Sequence, residues 1–176
     1  FFTFIIKNWM FYVVSFLGIV AVLFTISRIT NNDSITILPT TNVVLTVPAF
    51  FFTIIIMLLP FIYIGMLLHR ERNSNMNQLV DATAVTNWQL LFAKLFAIIK
   101  MQIAMLFIMM IVGISIQAYN GYYLFELDQY LFRLFTMELI SLVIWAFASI
   151  CIHSFLKNTY LGIFALILLW LGVQGV

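Results

Sequence analysis

Charge is what this chain has least of. Only 8% of its 176 residues are Asp, Glu, Lys or Arg, against roughly 25% in an ordinary soluble domain. Eight basic and six acidic side chains cannot keep a water-soluble protein of this length dispersed, which excludes that class. The net charge of +2 says little about nucleic acid, and no nucleic-acid partner is expected. One cysteine, Cys151, leaves no internal disulfide to form. The sequence contains no G-x-x-x-x-G-K-[ST] loop to cradle ATP phosphates and no H-E-x-x-H pair to hold zinc, so neither chemistry is expected from these residues. A secretory leader is not legible, because a charged start, a short apolar core and a small-residue cleavage site do not follow one another. With Phe1 in place of Met and Val176 inside an apolar run, the sequence is expected to be a piece of a longer polypeptide.

What the chain does have is oil: 65% of it is hydrophobic. A membrane-spanning helix needs about 20 mostly apolar residues to cross a hydrocarbon core of roughly 30 Å. Five runs qualify, at about 9–27, 43–68, 88–118, 131–156 and 160–176. The expected fold class is therefore all-α: an integral membrane protein forming a polytopic helical bundle as a single domain over 1–176. Pro48 and Pro60 fall in the second run, where proline removes a backbone hydrogen bond, and both are candidate helix kinks. The third run is too long for one crossing, about 46 Å as a helix. Its start should project into water, with Lys94 and Lys100 snorkelling outward. If the chain before the first span is cytoplasmic, Lys7, Arg70, Arg72, Lys94, Lys100 and Lys157 gather on that side against Arg28 and Arg133 on the other. The positive-inside rule favours that orientation. Tyr119, Tyr122, Tyr123 and Tyr130 then form an interfacial belt at the outer boundary.

Between the second and third runs lies the one long polar stretch, "HRERNSNMNQLVDATAVTNWQLLFAK", from His69 to Lys94. Asn75 with Gln78, and Thr86 with Gln89, place two helix starts in it. Met76, Leu79, Val80 and Thr83 share one face of the short helix between them, while Asn77, Gln78 and Asp81 face elsewhere. About two turns is too short to stand alone, so the helix needs a surface to dock on. The inner ends of the protein's own spans, lipid headgroups and a cytoplasmic partner all meet that need. The outer face is rich in amides rather than in the Lys and Arg that a lipid-surface helix favours.

This stretch resembles the cytoplasmic coupling segment of type-2 ABC transporter permeases, with Arg70, Glu71, Arg72, Thr83, Val85, Trp88 and Lys94 matching in register. It is similar above all to bacterial permeases fused to a zinc metallo-aminopeptidase. "GYYLFELDQYL" (121–131) and "IHSFLKNTYLG" (152–162) continue the likeness in order and spacing. Gln78 stands where such permeases commonly have Glu, and Ala84 where they have Pro. The resemblance implies five of six spans of an exporter's transmembrane domain, with a coupling segment at 69–87. It implies that Asn75, Met76, Gln78, Leu79, Val80, Asp81 and Thr83 contact a separate cytoplasmic ABC-type ATPase. No cofactor would be bound directly, since ATP and Mg2+ would sit on that ATPase. The other partners would be membrane lipids and a second permease unit, and the setting the bacterial inner membrane. The chain itself would be no enzyme, any fused peptidase lying outside this segment. The alternative is a membrane anchor or scaffold for such a peptidase domain, without transport.

Three further features call for weighing. Met101, Met105 and Met109 stack on one helical face. Thioethers bind Cu(I), but with no Cys or His beside them the stripe reads as packing. Glu138 lies about two turns inside the fourth span, where a carboxylate is a functional candidate by default, although snorkelling or pairing near the interface accounts for it equally. Cys151 and His153 are two apart and point to different helix faces, a poor nucleophile–base pair. His69 and His153 read as interfacial polar residues near span ends.

Overall fold

The computed structural model describes residues 3, 5, 7–30, 39–73, 87–156 and 158–174. Among them there are helices and no strands. The elements are α1 (Trp9–Thr30), α2 (Thr41–Leu45), α3 (Val47–Asn73), α4 (Asn87–Tyr119), α5 (Leu127–Phe132), a π-helix, π1 (Arg133–Glu138), α6 (Leu139–Phe155) and α7 (Thr159–Gln174). Helix is the only open-ended way for one segment to satisfy all its backbone groups in hydrocarbon, and these runs are apolar on every side. Among the described residues, four stretches are long and apolar enough to cross a membrane: Trp9–Ile29, Thr41–Leu68, Trp88–Tyr119 and Leu127–Phe155. The fifth expected span is a shorter apolar helix, Thr159–Val173.

The second span is broken near its start. Pro48 has no N–H to give the Val44 carbonyl, and it restricts the residue before it. The break appears at Thr46, whose ψ of −97° lies outside the helical range and separates α2 from α3. The Thr46 hydroxyl donates to the Val43 carbonyl at 2.9 Å. Pro60, by contrast, lies inside α3, which runs on through it.

Helix α3 is the hub of the bundle, packing against α1, α4, α6 and α7. Phe52, Ile56, Leu59, Phe61 and Ile64 on it are buried. The methionine stripe of α4 joins this core: Met101, Met105 and Met109 are all fully buried. Ser15 of α1 donates to the Met105 sulfur at 3.1 Å, so the stripe is a packing seam against the first span. Lys94 corrects the sequence reading, being only 4% exposed rather than reaching outward, whereas Lys100 is exposed.

Candidate functional site

Polar side chains inside the bundle collect at two levels. At the α2 end, Tyr130 of α5 donates its hydroxyl to Gln117 Oε1 at 3.0 Å, and Gln117 Nε2 donates to Thr41 Oγ1 at 3.2 Å. All three side chains are fully buried. The sequence placed Tyr130 in the interfacial belt with Tyr119 and Tyr123, and only the latter two are exposed, at 92% and 71%. Gly113 makes room for the buried ring: a Cβ there would lie 2.8 Å from the Tyr130 hydroxyl and 3.0 Å from Val44 Cγ1.

Beside this chain of bonds lies π1. Arg133 and Glu138 are its first and last residues. Residues five apart diverge by about 140° on an α-helix, but the i to i+5 bonding of a π-helix sets them one above the other. Arg133 reaches the broken second span, while π1 itself packs against α4. Arg133 Nη1 donates to Asn42 Oδ1 of α2 at 2.9 Å. The Glu138 carboxylate is half-buried, with Thr53 of α3 and Arg133 as its polar neighbours. The Arg133–Asn42 bond thus links the π-helix to the short helix before the break at Thr46.

The second level lies along α6. Ser149 donates to the Pro60 carbonyl at 3.3 Å, and His153 Nε2 is 2.9 Å from the Phe61 carbonyl. A carbonyl only accepts, so Nε2 carries the proton. His153 is fully buried, which corrects its reading as an interfacial residue. It is wedged among α3, α6 and α7 because Gly65 and Gly162 present no side chain to it. A Cβ on Gly65 would lie 2.8 Å from the His153 Cε1, and one on Gly162 would collide with the ring. Cys151 is exposed and does not meet it. Nearer the bundle centre, Gln102 Nε2 donates to the Leu142 carbonyl at 3.1 Å. Its Oε1 is buried without a partner among the described residues.

The sequence named Glu138 but missed Thr41, Gln117, Tyr130, Ser149 and His153 as bundle-facing groups. One signal was available: Ser149 and His153 are four apart and so share a helix face. Asn75, Met76, Gln78, Leu79, Val80, Asp81 and Thr83, named as docking residues, lie outside the described residues. The helices that flank them extend to Asn73 and begin at Asn87. Among the described residues, no group of three or more His, Cys, Asp or Glu side chains could hold a metal ion. The chain matches no family model, no curated protein and no solved structure.

Proposed function

We propose that this chain is the transmembrane permease part of an ATP-driven exporter, with ATP hydrolysed by a separate cytoplasmic subunit that docks on the coupling segment at 69–87. One observation carries the reading: the second span is broken at Thr46, the fourth is interrupted by a π-helix at 133–138, and a polar bond joins the two spans there. The bond runs from Arg133 to Asn42. Two irregular turns joined by an exchangeable polar bond suit a bundle that alternates between two packings. A passive anchor has no need of them. Helix α3, which packs against α1, α4, α6 and α7, ends at Asn73 within the segment that would receive the force.

The resemblance in 69–94 supports the same reading. In it, the permease sits in a bacterial inner membrane and works as a pair of units. The apolar composition leans toward an amphiphilic cargo. The test is Leu79→Asp or Val80→Asp in the full-length protein, reading co-purification of a P-loop ATPase and lipid-embedded ATPase activity. Both should fall at least tenfold. Wild-type recruitment and activity in both variants would refute the docking assignment and favour the anchor.

A further inference from the structure

A cleft of about 520 Å³ runs between α1 and α3, lined by Val14, Leu17, Val20, Ala21 and Phe24 on one wall and by Ile55, Leu58, Leu59 and Ile62 on the other. No polar side chain lines it. Ala21 has the smallest of these side chains. Val14, Leu17, Ala21 and Phe24 follow the alternating three and four spacing that keeps residues on one helix face. The next position in that series is Arg28, in the last turn of α1. Arg28 is exposed, and its guanidinium lies 5.0 Å from the centre of the Phe24 ring. Phe24 therefore closes the apolar wall and holds a cation at the mouth of the cleft.

The dimensions suit one class of molecule. From Val14 to Phe24 is ten residues of helix, about 15 Å of rise, which is half of a hydrocarbon core of roughly 30 Å. The cleft is thus one leaflet deep, apolar throughout and capped at headgroup height by a guanidinium, the side chain that best matches phosphate oxygens in a fork. We propose that it is a binding site for a single membrane phospholipid, one acyl chain lying along Ala21 and the phosphate on Arg28. An apolar wall alone would suit any hydrocarbon, including another helix. The cation placed over the wall's last residue selects an amphiphile with a phosphate.

The site stands independently of ATP coupling, so lipid retention is measured apart from ATPase recruitment. The full-length protein, purified in detergent and washed until annular lipid is gone, is titrated with phosphatidylglycerol, and bound lipid is counted by native mass spectrometry. Wild type should hold one lipid per chain. Arg28→Gln should need about tenfold more lipid for half occupancy, a difference of about 1.4 kcal/mol, and Arg28→Lys should fall between. Ala21→Trp, which fills the cleft, should lose the bound lipid. Leu17 is 53% exposed at the cleft edge, so Leu17→Trp blocks the entrance in a position that folding tolerates and should act likewise. Equal occupancy in wild type, Arg28→Gln and Leu17→Trp would overturn the proposal. So would equally tight retention of dioleoylglycerol, which has the chains and no phosphate. Cross-linking of a cysteine at Leu17 to another polypeptide in native membranes, in place of lipid, would overturn it as well.

Discussion

Replacing Tyr130 with Phe removes one oxygen and nothing else, which isolates the buried chain of bonds at the α2 end. The lost hydroxyl leaves Gln117 Oε1 without its donor at 3.0 Å, while Gln117 Nε2 stays bound to Thr41 and keeps the amide in place. An unsatisfied buried acceptor costs about 1–3 kcal/mol. Hydrogen bonds between transmembrane helices average about 0.6 kcal/mol and reach about 1.7, because the unfolded chain in lipid finds other partners. Tyr130, Gln117 and Thr41 are all fully buried, and Val44 and Gly113 beside the hydroxyl offer no donor side chain. The upper part of the range applies, so Tyr130→Phe should destabilise by about 1–2 kcal/mol. The assay is reversible unfolding in mixed micelles, run as a double-mutant cycle with Gln117→Met. The pair should be less destabilising than the sum of the singles by about 0.6–1.7 kcal/mol. Additivity to within about 0.3–0.5 kcal/mol would refute the bond's contribution and the reasoning from burial.

Two other outcomes follow from single positions. Gly162→Ala gains up to about 1 kcal/mol of helix propensity but drives a methyl into the His153 ring, an overpacking cost of about 1–3 kcal/mol. The net should be a loss on the order of 1 kcal/mol in the same unfolding assay, whereas Gly172→Ala, with nothing within 4 Å of its new Cβ, should gain stability. Pro48→Ala restores a donor for the Val44 carbonyl and should slow amide exchange at Thr46 and Val47, read by hydrogen–deuterium exchange. Unchanged exchange would mean that packing, not proline, sets the break.

How much of this was legible beforehand depends on what an apolar sequence can encode. The helices of spanning length could be read because length and hydropathy suffice for them, and Pro48 marks the turn beside which α2 ends. Side-chain facing could not be read. In a soluble helix a polar face and an apolar face differ, but in lipid both sides of α4 and α6 are apolar, so periodicity does not separate bundle from bilayer. That is why the sequence alone groups Tyr130 with the exposed Tyr119, sets His153 at an interface and sends Lys94 toward water. The π-helix has no signal of its own in "RLFTME". Arg133 at its start bonds Asn42 of the second span, a tertiary contact that no local preference announces.

That widened turn also sets the azimuth of everything beyond it. A π-turn takes up one residue more than an α-turn, which offsets the rest of the span by about 100° from an uninterrupted helix. Ser149 and His153 reach the Pro60 and Phe61 carbonyls only with that offset in place. Arg133 reaches Asn42 on the near side of it. From Glu138 to His153 is fifteen residues, about 22 Å of rise, so a change in one turn at one end of the span is felt as rotation at the other. The fourth span is in that sense a shaft, with its torque set where the acid and the base sit one above the other.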